Sequence, residues 1–289
     1  MRGVAPRLSN SRESKHLRAG QDQGYNLTVP RLAIALILAA YLCGAAAEDV
    51  ITLPTRGSVT QSYLLAIPET GKARAVAVLF AGGEGKVDLD REAGRATLDR
   101  GNFLVRTRRL FAAGGIAAAV VDAPSDQTAG MEDRFRLSDE HAEDIAKVVA
   151  NLKQRFPGLP VFLVGTSRGT VSAAATGKHL AKAVDGVVLT SSLFIASRGQ
   201  PGLSGFDYAT LSVPLLFVHH VNDGCTYTPY SYAKRLADRY PLVSVSGGLP
   251  PRSKPCEAMA EHGFLGKEAE TVDAIAKWML KEAFPREIQ

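Results

Sequence analysis

The sequence predicts an α/β protein: a mainly parallel sheet with helices on both faces, in one domain over residues 48–289. Three observations predict it. Short continuous apolar runs, Ala75–Phe80 and Ile116–Val121 among them, have the character of strands buried on both sides. Segments of helical period stand between such runs, Leu137–Phe156 being the clearest. The two kinds alternate along the chain, which implies βαβ units. The 289 residues, 46% apolar and 22% charged, can bury a core of ordinary size.

Each element follows from its own pattern. Tyr63–Ile67 reads as an early strand, and Ala75–Phe80 as the next, stopped by Ala81-Gly82-Gly83-Glu84-Gly85. Phe103–Ala113 has helical spacing and ends at Gly114-Gly115; Ile116–Val121 is then a strand closed by Asp122-Ala123-Pro124. Leu137–Phe156 carries Ile145, Val148, Val149 and Leu152 at helical spacing. Ser138 is its N-cap, Asp139 and Glu140 form an acidic first turn, and Pro157-Gly158 stops it. Val161–Val164 is a strand, Thr170–Ala183 a helix, and Val184–Thr190 and Leu215–Val218 are strands. Pro229–Tyr240 reads as a helix with Thr228 as N-cap and Pro229 at its first position. Leu242–Val245 is a strand and Glu268–Phe284 a closing amphipathic helix. The Gly/Ser-rich stretch 193–211 is expected to form a small cap or lid loop.

Residues 1–47 have a different character. Arg31 precedes the apolar run Leu32–Cys43, and Gly-Ala-Ala-Ala follows it, the order of an export signal with cleavage after Ala47. The run is shorter than the roughly 20 residues of a spanning helix. A periplasmic or secreted protein is expected, touching membrane only through this segment. The segment also holds most of the excess charge: +4 of the chain's +5 lies in residues 1–47. The remainder is nearly neutral, with no helix-turn-helix or zinc-finger spacing, so no nucleic-acid partner is expected. Beyond Cys43 there remain Cys225 and Cys256, an even count that in an exported chain implies a disulfide. It would close a loop of about 30 residues and stabilise by roughly 3 kcal/mol. No CxxC or histidine cluster completes a metal site, and no metal or other cofactor is expected.

The chemistry concentrates at Gly165-Thr166-Ser167-Arg168-Gly169, a G-x-S-x-G pentapeptide directly after the strand ending at Val164 and before the helix at Thr170. A sharp strand-to-helix turn presents Ser167 in a strained conformation, and the glycines remove side chains that would collide. The helix N-terminus beside it favours a developing oxyanion. A serine hydroxyl needs a base, and the base needs an orienting acid. Of the histidines well downstream, His219, His220 and His262, the last is the best base, because it lies in a loop after the final predicted strand. His219 and His220 end a strand and suit packing or pocket lining. Asp223, in the turn after that strand, is the best acid, with Asp207 and Glu261 behind it. Two backbone donors are needed for the oxyanion: Arg168 N–H, and one from the glycine loop, Gly83 first and Gly82 next.

These motifs, GTSRG, AGGEG, VNDGC and EHGF, stand in the order found in the α/β-hydrolase superfamily, which the chain resembles from about Tyr63 to Phe284. The resemblance is strongest to exported bacterial serine hydrolases of unassigned substrate, in which a cysteine beside the acid pairs with one before the histidine; Cys225 and Cys256 fit that pattern. It implies the α/β-hydrolase fold and acyl transfer through Ser167, Asp223 and His262 on an ester or related acyl substrate. Ala81 stands where the lipases and esterases with an HGGG loop have histidine, which argues against a lipase assignment. A peptidase or amidase, an acyltransferase, and a non-catalytic binding protein on the same fold are the rival readings.

Overall fold

The computed structural model describes residues 48–90, 95–96, 101–197 and 199–289. Residues 1–47, with the apolar run read as an export signal, lie outside the described residues. Nine strands form one sheet: β1 (Glu48–Pro54), β2 (Thr60–Ala66), β3 (Ala75–Phe80), β6 (Ile116–Val121), β7 (Val161–Thr166), β8 (Gly186–Thr190), β9 (Leu215–His220), β10 (Leu242–Val245) and β11 (Glu287–Ile288). Their spatial order is β1-β2-β6-β3-β7-β8-β9-β10-β11. The pairs β1/β2 and β2/β6 are antiparallel and the others parallel. The short strands β4 (Leu89–Asp90) and β5 (Arg95–Ala96) pair separately. Six α-helices, α1 (Phe103–Ala113), α2 (Asp133–Arg136), α3 (Asp139–Arg155), α4 (Gly169–His179), α5 (Tyr230–Leu236) and α6 (Glu268–Met279), and two 3-10 turns, Tyr208–Thr210 and Glu261–Gly263, complete the described residues.

The central strands β3, β6, β7, β8 and β9 are buried at every position, which is why they read as unbroken apolar runs. Side-chain alternation divides the core into two layers. Val76, Val78 and Phe80 of β3 pack with Ile145, Leu152 and Val171 from α3 and α4. Ala75, Ala77 and Leu79 face Phe103, Phe111, Val272 and Ile275 from α1 and α6. Helix α3 starts where its capping signal stands: Ser138 Oγ accepts from His141 N at 3.3 Å.

The structure departs from the sequence reading in four places. Helix α5 is shorter than expected, and Thr228 does not cap it; its hydroxyl bonds to Asp223 instead. The closing helix stops at Met279 rather than Phe284, with Lys281 at φ +58°, and the chain then runs on to β11. The edge strand β1 has a half-exposed pattern that no buried-run criterion detects. Finally, the stretch 193–211 packs inward: Leu193, Phe194, Leu203 and Leu211 belong to the α3/α4 core layer. Among the described residues, no helix is long and apolar enough to cross a membrane.

The topology reverses at β3. The chain proceeds from β3 to β6 on one side and places β7 on the other, with Phe80 in register with Gly165. The loops after β3 and β7 therefore emerge side by side at the carboxyl edge, where ligands bind in open α/β sheets.

Candidate active site

Ser167 stands at the turn between β7 and α4 with φ +52°, a left-handed conformation rare for a residue with a side chain. The surroundings hold it there. Ser167 N donates to Thr190 O at the end of β8 at 3.0 Å, and Ser167 O accepts from Thr170 N at 3.0 Å. A Cβ on Gly165 would fall 2.7 Å from Thr170 Cα and closer still to the Gly169 backbone. A Cβ on Gly169 would meet the carbonyl oxygen of Ala81 at 2.7 Å and that of Phe80 more closely. Both glycines of the pentapeptide are thus required by backbone crowding.

Asp223 and His262 come together from loops after β9 and β10. Asp223 Oδ2 lies 3.0 Å from His262 Nδ1, and both side chains are buried. The carboxylate is well supplied with donors: Cys225 N reaches Oδ1 at 2.9 Å, and Thr228 Oγ1 donates to Oδ2 at 2.8 Å. Burial pushes the Asp223 pKa up. The His262 hydrogen bond and charge, with the bonds from Cys225 N–H and Thr228, outweigh burial and hold it below the ordinary value of 3.8. The His262 backbone is fixed as well, because Ser191 Oγ donates to His262 O at 2.8 Å. Its other ring nitrogen, Nε2, is buried without a hydrogen-bond partner among the described residues. The Cys225–Cys256 disulfide is formed, joining the Asp223 turn to the segment before His262.

Ser167 and His262 line one cavity of about 380 Å³. The loop after β3 contributes Gly82 and Gly83, the start of α1 contributes Asn102 and Phe103, and the segment Ser253–Met259 forms the facing wall. Gly82 approaches the serine closely: a Cβ on it would stand 3.1 Å from Ser167 Cβ. The N–H groups of Gly82, Gly83 and Arg168 have no acceptor among the described residues. The loop is held from behind by Arg136, whose Nη2 donates to Gly83 O at 3.1 Å and whose Nη1 donates to Ser172 Oγ at 2.9 Å. Burial lowers the pKa of this guanidinium to about 9, with Asp133 opposing and Arg168 adding to the effect, so it is charged at neutral pH.

The remaining sequence candidates lie elsewhere. The Arg168 side chain pairs with buried Asp133 at 3.0 Å and is engaged there. His219 is buried, stacked on Phe194 and bonded to Ser192, and burial lowers its pKa to about 3. His220 bonds to Gly247 O and Asn222 N. Asp207 Oδ1 accepts from Ala209 N in an exposed turn, and no hydrogen bond joins Asp207 or Glu261 to His262. None of the described residues in 193–211 lines the cavity. Thr228 entered the sequence reading only as a helix cap, and Arg136, Ser191, Asn102 and Arg106 escaped it. Arg106 donates to the carbonyls of Gly101 and Gly263, on two sides of the cavity, and pairs with Glu268 at 3.0 Å. Among the described residues no three His, Cys, Asp or Glu side chains are grouped to hold a metal.

The model of a family described as serine aminopeptidases, S33, matches residues 111–237. That span includes Ser167 and Asp223 and ends before His262. Among solved structures, Est1E from Butyrivibrio proteoclasticus superposes with TM-score 0.57 at 12% identity, over 81% of this chain and 98% of that one. An α/β serine hydrolase without a lid from Xanthomonas campestris gives TM-score 0.54 at 13% identity, over 82% and 95%. A dienelactone hydrolase from Anabaena variabilis gives 0.52 at 14%, over 81% and 95%. Comparison with curated proteins returns no match.

Proposed function

We propose that this member of the α/β-hydrolase superfamily is a serine hydrolase that cleaves a carboxylic ester or related acyl substrate through a covalent acyl-enzyme. The observation that carries the reading is the shared cavity: Ser167 on its strained turn and His262, itself bonded to Asp223, line the same space. In this reading Ser167 Oγ attacks the acyl carbon and His262 Nε2 takes its proton. Asp223 fixes the Nδ1–H tautomer and stabilises the imidazolium. The N–H groups of Gly82 or Gly83 and of Arg168 receive the oxyanion. His262 then returns the proton to the leaving group, and water, activated by the same imidazole, releases the acyl group and regenerates Ser167.

A further structural neighbour, a cold-adapted esterase from an Arctic intertidal metagenomic library with TM-score 0.51 at 16% identity, supports an ester. The aminopeptidase family description supports a second reading, hydrolysis of an amide or peptide bond on the same residues. Transfer to an alcohol acceptor would use the same acyl-enzyme. The reading extends to an exported enzyme, on the apolar segment before Glu48 and the disulfide beside the acid. A fluorophosphonate probe tests the nucleophile: it should label the folded protein and leave Ser167→Ala unlabelled. Equal labelling of both, or of neither, overturns the reading. A panel of ester, thioester and peptide substrates of graded acyl length then separates the bond types.

A further inference from the structure

We propose that the side-chain amide of Asn102 is an additional donor to the acyl oxygen in the transition state, an inference that rests on the serine-hydrolase reading above. Asn102 caps helix α1, its Oδ1 accepting from Leu104 N at 3.2 Å. That bond orients the amide, because the oxygen faces the helix and the nitrogen must face away from it. The nitrogen lies near the turn that carries the nucleophile. Asn102 Nδ2 and Ser167 Cβ lie 3.5 and 3.1 Å from the single point where a Cβ on Gly82 would stand. Asn102 lines the cavity and is only 7% exposed, yet Nδ2 has no acceptor among the described residues.

Capping does not demand an amide. Ser and Asp cap helices as well as Asn does; an ionised Asp brings no donor, and the one O–H of Ser sits on the capping oxygen itself, without the separate, further-reaching nitrogen of the amide. The N–H₂ is not sealed in the core: it is open to the cavity, where an occupant can accept from it. The occupant that fits is an oxygen developing negative charge beside Ser167. The backbone before Asn102 is also anchored, since Arg106 Nη1 donates to Gly101 O at 2.6 Å. The amide donates a hydrogen bond and is unchanged by the reaction; the proton moves only between Ser167, His262 and the leaving group.

The test uses Asn102→Ser and Asn102→Asp, which both keep the acceptor for Leu104 N. Fluorophosphonate labelling rates and thermal midpoints are measured beside wild type and Ser167→Ala. The expected result is a labelling rate about 100-fold lower in Asn102→Ser, lower again in Asn102→Asp, whose carboxylate opposes the oxyanion, with midpoints near wild type. A purely structural cap predicts the reverse pattern, with both variants labelled as fast as wild type, and labelling of Asn102→Ser within twofold of wild type overturns the proposal. An unlabelled wild type, or a labelled Ser167→Ala, overturns the serine-hydrolase reading itself and is seen in separate samples.

Discussion

The hydroxyl of Thr228 donates to Asp223 Oδ2 at 2.8 Å, the same carboxylate oxygen that faces His262 Nδ1. Thr228 Oγ1 is also 3.2 Å from His262 Nδ1, so the three groups meet around one oxygen. A hydrogen bond to a charged group contributes about 1.5–3 kcal/mol. Thr228→Val keeps the shape and removes the hydroxyl. Its kcat/KM is expected to fall by roughly ten- to a hundredfold, as that energy implies, while Thr228→Ser stays near wild type. Steady-state kinetics on the best ester of the substrate panel measures both.

The depressed pKa of Asp223 has a consequence for stability. A carboxyl whose folded pKa lies below its unfolded value stabilises the fold above the unfolded pKa, and that contribution fades as pH falls through the folded one. Wild type is therefore expected to lose stability as pH drops below the ordinary value of 3.8. Asp223→Asn should lack this component, so the gap between the two narrows towards acid pH. Urea unfolding at a series of pH values reads it; a gap independent of pH below 5 refutes it.

The glycines around Ser167 differ in what a methyl group would meet. Gly169→Ala presses on the carbonyls of Phe80 and Ala81, atoms of the sheet itself, and is expected to cost about 1–3 kcal/mol of stability. Gly82→Ala meets Ser167 Cβ and Thr166 O at 3.1 Å. There the fold should survive while the space between Ser167 and Asn102 closes, so labelling slows more than the thermal midpoint falls. Thermal unfolding and probe labelling of the two variants distinguish the cases.

The disulfide joins the Asp223 turn to the cavity lining. Cys225 N donates to Asp223 Oδ1, and Cys256 lines the cavity. Replacing both cysteines by serine is expected to remove about 3 kcal/mol of stability, and also to lower kcat and to shift acyl-length preference. Denaturation with the substrate panel checks this. Loss of stability with unchanged kcat and preference would leave the bridge no positioning role.

Much of the fold was legible in the sequence where burial and caps coincide. The buried strands of β3 and β6 and the Ser138 cap of α3 carry their own local signals. Strand β1 did not, because one face is exposed, and β11 is two residues held by pairing with β10. Thr228 misled because a Thr-Pro pair looks like a helix start, whereas its hydroxyl serves a carboxylate five residues earlier. The stretch 193–211 looked like a lid from its glycines, but Leu193, Phe194 and Leu203 had core to fill. The strained turn at Ser167 and the residues read as acid and base, Asp223 and His262, stand in local motifs, and the structure brings the last two within hydrogen-bond distance. Arg136 and Arg106 were not, because Arg136 reaches Gly83 and Arg106 reaches Gly263 across the fold, and no local pattern encodes such a reach. The wall Ser253–Met259 has no periodicity to announce it.

Arg106 grips Gly101 on one side of the cavity and Gly263 on the other, and Glu268 anchors its charge. One planar fork thereby holds two carbonyls of the cavity lining, before α1 and beside His262, at a fixed spacing, like a caliper. In the reading proposed above, that spacing is a gauge for what reaches Ser167, set before any substrate arrives.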